Sequence, residues 1–148
     1  MKHTLDTAGV DHLVGFWLAV ADVPGRRVFR QHIGQPFELK PVEFTLLMLL
    51  LVNPGVSPKQ LVPALRVPAP QVTLLVDRLA QRELVERRRN ARDGRALHLM
   101  LTAKGQALAE KVHRLSLGME QDWLQVLSPG ERVMLRELLM KLTRASAD

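Results

Sequence analysis

A cluster of arginines between residues 82 and 95 is the strongest chemical signal in the sequence. Its arginines are opposed by only three acidic residues, Glu83, Glu86 and Asp93. Asp93-Gly94 is a strong signal for a β-hairpin turn. Arginines at a hairpin tip suit contact with phosphates and insertion into a narrow DNA minor groove, although a solvated charged surface is the alternative. The six arginines are Arg82, Arg87, Arg88, Arg89, Arg92 and Arg95.

Residues 84–89 and 96–101, on either side of this turn, have the composition of β-strands. In the second segment Leu97, Leu99 and Leu101 alternate with other residue types, which is the period-two pattern of a strand. The sequence therefore predicts an antiparallel hairpin whose tip carries the arginines.

An amphipathic helix is predicted just before the hairpin, with Pro70 in its first turn. Val72, Leu75, Val76 and Leu79 have the i, i+3, i+4, i+7 spacing of one apolar stripe. Glutamine, threonine and arginine on the opposite face suit hydrogen bonds to bases and phosphates, and an exposed leucine suits a thymine methyl. A merely solvated face is equally compatible with this helix alone. The opposite face carries Gln71, Thr73, Leu74, Asp77, Arg78, Gln81 and Arg82.

These segments resemble the winged helix-turn-helix of the MarR (multiple antibiotic resistance regulator) family of bacterial transcription regulators. The family's wing pattern is Asp-x-Arg, five residues, then Leu-Thr-x-x-Gly. It is matched by Asp93, Arg95, Leu101, Thr102 and Gly105. Asp-Arg-Leu at residues 77–79 and Leu-Val-Glu-Arg at residues 84–87 also match. The resemblance implies that Arg95 enters the minor groove and that the face from Gln71 to Arg78 lies in the major groove.

Two residues depart from the family pattern. Leu74 stands where the family often has arginine, and Glu83 stands where the helix usually ends on glycine. A left-handed conformation at Glu83 would cost about 1 kcal/mol or more, so we expect the junction between helix and wing to differ in geometry.

The predicted DNA contacts come from the first helix of the helix-turn-helix, the recognition helix and the wing. We expect Asp93 to orient Arg95 through a charge-assisted hydrogen bond. The resemblance implies that Arg87 pairs with Asp77 and fixes the wing to the helix. The predicted contact residues are Ser57, Lys59, Gln71, Thr73, Leu74, Arg78, Arg88, Arg89, Arg92, Asp93 and Arg95.

Further helices are predicted around this part. Ser57 to Gln60 is a capping box that opens a helix, and Pro63 inside that helix is expected to distort or shorten it. Residues 41–52 are apolar nearly all round and should be buried. Pro24-Gly25 is expected to kink the first helix or divide it into two pieces.

After the wing, Thr102 is predicted to cap a long helix with an apolar seam from Leu108 to Trp123. Ser128 to Glu131 forms another capping box that opens the last helix. The apolar faces of the terminal helices must be buried against a packing partner. The resemblance implies an interlocked homodimer, and packing on the same chain is the alternative.

The predicted fold is mainly α with a small β-hairpin wing, an α+β winged helix-turn-helix whose N- and C-terminal helices form a dimerisation arm. We expect one domain over residues 1–148. Residues 36–102 form the winged helix-turn-helix, and residues 5–34 and 103–146 the dimerisation helices.

Composition limits the possible functions of the 148 residues. The net charge of +6 and pI near 10.5 favour a polyanionic partner, which by charge alone suits DNA, RNA or acidic lipid. The chain has no cysteine, its five histidines lack metal-ligand spacing, and no catalytic motif occurs. We therefore expect no enzyme activity, no metal and no cofactor. No apolar segment suits a signal peptide or membrane span, so we expect a cytoplasmic protein without a membrane partner.

The resemblance implies a sequence-specific regulator of double-stranded DNA, in most members a repressor on a pseudo-palindromic operator. It also implies release by a small effector, often aromatic and anionic. The residues expected at such a pocket are Phe16, Trp17, Phe29, Arg30 and His32. Aromatic residues such as Phe16 and Trp17 more often belong to core or dimer packing, which is the alternative. A protein-interaction or architectural DNA-binding module without a ligand is the alternative function.

Overall fold

The computed structural model describes residues 5–89, 92, 94 and 96–145. These residues form seven α-helices, one π-helical turn and one two-stranded antiparallel hairpin, which confirms the predicted fold class. The elements are α1 (Val14–Phe29), the π-helical turn (Arg30–Gly34), α2 (Pro41–Val52), α3 (Pro58–Leu65), α4 (Ala69–Gln81), β1 (Val85–Arg89), β2 (Leu97–Leu101), α5 (Ala103–Ser116), α6 (Gln121–Leu124) and α7 (Pro129–Ala145).

The chain divides into two compact units. The winged unit is Phe29–Leu117, and the terminal unit comprises the segments before Phe29 and after Leu117. α5 lies within the winged unit, and the assignment of residues 103–146 to dimerisation helices stays a prediction. No helix among the described residues has the length and apolar character needed to span a membrane.

The core of the winged unit is built from the apolar stripes that the sequence predicts. All the apolar side chains of the described residues that are classed as buried belong to this unit. The buried stripe of α4 is the predicted one, and α2 is buried where it packs against α5 and β2. The buried apolar residues are Ile33, Leu39, Leu46, Leu47, Leu50, Leu61, Val72, Leu75, Val76, Leu79, Leu84, Val85, Leu99, Ala109 and Val112.

The wing is a hairpin with a short additional pairing. In β1 and β2, Val85 pairs with Leu101 and Arg89 with Leu97. Val56, just before α3, bridges to Leu99 on the other side of β2, with Leu99 N donating to Val56 O at 2.9 Å. This pairing, which the sequence analysis missed, attaches the wing to the segment between α2 and α3.

The recognition helix α4 ends in a left-handed residue, Glu83, at φ 59°. Leu84 N donates to Leu79 O and Glu83 N donates to Ala80 O, each at 2.9 Å. These two bonds and the buried Leu79 and Leu84 form a Schellman motif. The expectation of a different junction is therefore wrong: Glu83 adopts the conformation that glycine usually supplies, because hydrogen bonds and burial outweigh its cost.

The start of α5 lies directly against this junction. Thr102 Oγ1 accepts a hydrogen bond from Gly105 N at 2.9 Å and donates one to Glu83 O at 2.6 Å. A Cβ built on Gly105 would lie 1.9 Å from Leu84 O, so only glycine fits this position without a backbone shift. The Leu-Thr-x-x-Gly pattern is thus explained by one close backbone approach.

The observed bounds of three helices can be compared with those expected from the sequence. Of the two alternatives expected at Pro24-Gly25, a division into two pieces is wrong, because α1 continues through Pro24, with Gly25 packed against Trp123. A kink there stays a prediction. α3 has eight residues and extends only two beyond Pro63. The long helix expected through Trp123 is also wrong: α5 ends at Ser116, whose hydroxyl donates to a backbone carbonyl of its own last turn, and Trp123 lies in the separate α6.

The terminal unit has apolar helix faces that the single chain leaves exposed. Neither α1 nor α7 contains a buried residue. Ser128 N donates to Glu131 Oε2 at 2.7 Å, as predicted for the capping box of α7. This backbone hydrogen bond, followed by that of the Ser128 hydroxyl, lowers the pKa of Glu131.

Replacing Glu83 with glycine is expected to stabilise the protein by up to about 1 kcal/mol, because glycine has no steric penalty in the left-handed region. Urea unfolding at one protein concentration measures the change. Glu83→Ala, which removes only the exposed contact to Lys104 at 3.9 Å, should be nearly neutral. Gln81→Gly, inside right-handed α4, should destabilise by about 0.5–1 kcal/mol. A loss at Glu83→Gly as large as at Gln81→Gly would contradict the account.

Candidate nucleic-acid interface

The outward face of α4 is the first component of the candidate interface. Gln71, Thr73 and Leu74 are exposed, opposite the buried stripe. The Thr73 hydroxyl donates to Ala69 O at 3.3 Å, within the helix. Because its one proton is used there, this oxygen can only accept a hydrogen bond from a ligand. Leu74, on the same face, is 62% exposed.

Arg78, predicted to read a base, forms an ion pair inside the winged unit. Its Nη2 lies 3.1 Å from Oε1 of Glu43 on α2, and the Glu43 side chain is only 4% exposed. The other carboxylate oxygen of Glu43 accepts from Lys40 N at 2.8 Å. The Arg78 side chain remains 45% exposed, so it retains a surface towards solvent while fixing α4 to α2.

Arg82 also connects α4 to the segment before α2. Its Nη1 donates to Glu38 O at 2.8 Å and its Nη2 donates to Phe37 O at 2.9 Å. These bonds satisfy two backbone carbonyls of a segment in which Glu38 has a positive φ of 51°. Arg82 is therefore a member of the arginine cluster that has a structural role.

On β1, two of three consecutive arginines pair with carboxylates. Arg87 Nη2 contacts Asp77 Oδ1, which confirms the predicted pair between the wing and α4. Arg88 Nη2 lies 2.5 Å from Glu86 Oε1 on the same strand, with 63% of its side chain exposed. Arg89 is exposed.

The tip of the wing is described only in part. Arg92 is exposed, while Asp93 and Arg95 lie outside the described residues. The predicted contact between Asp93 and Arg95 therefore stays a prediction.

The N-terminus of α3 contributes Ser57 and Lys59. Ser57 N donates to Gln60 Oε1 at 2.9 Å, and Ser57 Oγ accepts from Gln60 N at 3.4 Å, which confirms the predicted capping box. The Ser57 hydroxyl is therefore engaged in the cap. Lys59 is exposed.

His98 on β2 is a positioning residue that the sequence analysis did not single out. Its Nδ1 donates to Gly55 O at 2.5 Å, and Gly55 N donates to Leu99 O at 3.0 Å. These bonds reinforce the attachment of the wing to the segment before α3. Neither this contact nor the Glu43–Arg78 pair has a local sequence signal, because the partners lie far apart in the chain.

The residues predicted for a ligand pocket fall into both units. In the terminal unit, Phe16 and Trp17 make an edge-to-face pair with ring centroids 5.1 Å apart, and Trp17 is 51% exposed. In the winged unit, Phe29 makes a similar pair with Phe44 at 5.6 Å, and Arg30 and His32 are exposed. In the part of the chain that the structure describes, no group of histidine and acidic residues suits a metal ion.

Comparison with known proteins places these features in a family. A model of the MarR family matches residues 37–96, which includes α2 to the wing. The multiple antibiotic resistance protein MarR of Escherichia coli K12 is 26% identical over 143 residues, which cover 96% of this chain and 99% of that protein. These matches support a MarR-family winged-helix regulator, and that family is one of transcriptional regulators rather than enzymes.

Two further relatives agree with this assignment. The HTH-type transcriptional regulator BilQ of Clostridium symbiosum is 36% identical over 90 residues, which cover 61% of this chain and 62% of that protein, slightly less than two thirds of its length. The structure of the transcriptional repressor CouR bound to a 23-mer DNA duplex is 29% identical. It has a TM-score of 0.83 and covers 95% of this chain and 99% of that one.

Removing either charge of the Glu43–Arg78 pair is expected to destabilise the protein, and the loss should be larger for Arg78 than for Glu43. Arg78→Ala leaves a buried carboxylate unpaired and should cost about 1–3 kcal/mol. Glu43→Gln preserves the acceptor for Lys40 N and leaves Arg78 half-exposed to water, so its cost should be smaller. The double variant should recover part of the Arg78→Ala loss, as measured by urea unfolding. Strict additivity would show that the two side chains do not interact.

Proposed function

We propose that this MarR-family protein is a sequence-specific DNA-binding repressor that acts as a homodimer on a pseudo-palindromic operator. The observation that carries the proposal is the Arg87–Asp77 ion pair, which joins the arginine-bearing strand to the outward face of α4. A helix face that suits the major groove and a cationic hairpin that suits the adjacent minor groove are thereby joined by a direct contact. The DNA-bound structure of the similar CouR supports the choice of DNA over other polyanions.

The exposed apolar helix faces of the terminal unit support the homodimer. Large apolar side chains of α7 are between 36% and 56% exposed in the single chain. Contiguous exposure of this kind marks an interaction surface in a monomer, and a second copy covers it symmetrically. The residues on α7 are Val133, Met134, Leu135, Leu138, Leu139, Met140 and Leu142.

Within the DNA complex, each contact residue is assigned a role by its surroundings. Gln71, Thr73 and Leu74 face bases in the major groove, and Arg78 contacts the groove through the part of its guanidinium that Glu43 leaves exposed. Lys59, Arg88, Arg89 and Arg92 contact phosphates, and Ser57 contributes through the N-terminus of α3, where backbone N–H groups favour an anion. Arg95, oriented by Asp93, occupies the minor groove.

Arg95→Ala is expected to weaken DNA binding and to lower the slope of log K against log salt by about one unit, because one phosphate-region cation is lost. Fluorescence anisotropy with a labelled duplex over a series of salt concentrations gives both quantities. Arg26→Ala is the matched control, since Arg26 pairs with Asp22 on α1 and is 77% exposed. Equal affinity and slope for Arg95→Ala and the wild-type protein would remove Arg95 from the interface.

We further propose that a small aromatic anion releases the protein from DNA. In the winged unit, Arg30 and His32 supply cationic or donor groups, and Phe29 supplies an aromatic face. Phe16 and Trp17, which belong to the terminal unit, stay a prediction from the sequence. The proposal requires that the anion bind more tightly to the arrangement of the dimer that does not fit the operator.

A panel of benzoate, salicylate and 4-hydroxybenzoate is expected to contain at least one acid that reduces DNA affinity, because the cationic groups select a carboxylate. Arg30→Gln should abolish that effect while DNA affinity without acid stays unchanged. Anisotropy competition measures both. If no acid alters DNA affinity, or if Arg30→Gln responds like the wild-type protein, this pocket is not the effector site.

A further inference from the structure

Leu74 lies on the exposed face of the recognition helix. It is opposite the buried stripe of α4 and one helical turn from both Pro70 and Arg78. No packing within the described residues of the winged unit explains it, since 62% of it is exposed while the four apolar residues of the stripe are buried. An apolar side chain therefore stands on the exposed face of this helix.

The surface beside Leu74 is apolar and concave. A cavity of about 530 Å³ lies between α4 and the first turn of α2. Its apolar walls come from Val42, Pro68, Pro70 and Leu74, while Lys40 and Arg78 contribute cations to its lining. An apolar recess lined in part by cations fits a base edge that carries a methyl group, with the nearby phosphates reached by the cations.

Polar side chains around this recess have limited freedom to read bases. The Thr73 hydroxyl donates to Ala69 O, and the Arg78 guanidinium pairs with Glu43. Arginine is the side chain that most often selects guanine, and here Glu43 competes for its N–H groups. Leu74, in contrast to these two side chains, has no polar group engaged within the protein, and 62% of it is exposed to a base contact.

We propose that Leu74 and the recess formed with Pro70 and Val42 select a thymine in each half-site through its 5-methyl group. The inference deepens the proposed function and rests on it. Thymine is the one standard base that presents a methyl in the major groove, and apolar side chains discriminate it by burying that group. Removing one methyl contact should reduce affinity about threefold to tenfold per half-site, as expected for a buried methyl-sized group.

The test removes the methyl without altering base pairing. A duplex recovered by selection from a random pool is synthesised with uracil in place of each thymine, one position at a time. Affinity for the wild-type protein should fall about threefold to tenfold at one position per half-site. Where that T·A pair is replaced by C·G, 5-methylcytosine should recover part of the affinity that cytosine loses.

Variants assign the effect to the residue. Leu74→Ala should bind the thymine and uracil duplexes equally, whereas Leu74→Met should retain the preference because it restores apolar contact. Val52→Ala is the matched control, since Val52 is 72% exposed at the end of α2. Circular dichroism checks that each variant is folded, which is expected for substitutions at exposed positions.

Separate outcomes distinguish failure of the inference from failure of the proposed function. If the wild-type protein recovers no DNA from the pool, both are overturned. If it binds a defined sequence but no uracil substitution matters, the inference alone is overturned. An unchanged preference for thymine in Leu74→Ala also overturns it, because another residue would then read the methyl.

Discussion

The close approach of α5 to the backbone of Leu84 is the constraint on which the geometry of this regulator depends. Because Gly105 has no side chain, the first turn of α5 rests against the Leu84 carbonyl, and Thr102 bonds to the carbonyl of Glu83. The end of the recognition helix, the start of β1 and the start of α5 thus meet at one junction. Any change there would alter the direction of the wing relative to the helix that precedes it.

Charge in the molecule is divided between structure and recognition. Arg82 and Arg87 are used within the winged unit, on backbone carbonyls and on Asp77, while Arg89 and Arg92 are exposed. Arginine suits both uses because its planar guanidinium donates several hydrogen bonds in a fixed geometry. The buried Glu43 has a comparable role for α2 and α4, since its two carboxylate oxygens serve a helix cap and Arg78. The basic composition of the sequence therefore suggests more cationic side chains for DNA contact than the structure leaves exposed.

Local rules predicted much of this fold. The apolar stripe of α4 and the caps at Ser57 and Thr102 follow from spacing and from side chains that bond to nearby backbone. Tertiary contacts explain what the sequence left open. Glu83 is left-handed because burial of Leu84 and the Schellman bonds outweigh a cost of about 1 kcal/mol. The partners of Arg82 lie 44 and 45 residues away, so no local pattern identifies them.

Selection of bound sequences from a random DNA pool at near-physiological salt is the most direct test of the central claim, that a symmetric dimer reads DNA with two recognition helices. The account predicts a pseudo-palindrome whose half-site centres lie about 34–36 Å apart, one helical turn of DNA. If the recovered DNA shows no sequence preference while the binding affinity falls steeply with salt, sequence-specific reading would be contradicted and an architectural role favoured. Recovery of no DNA would contradict the account as a whole and favour a protein partner.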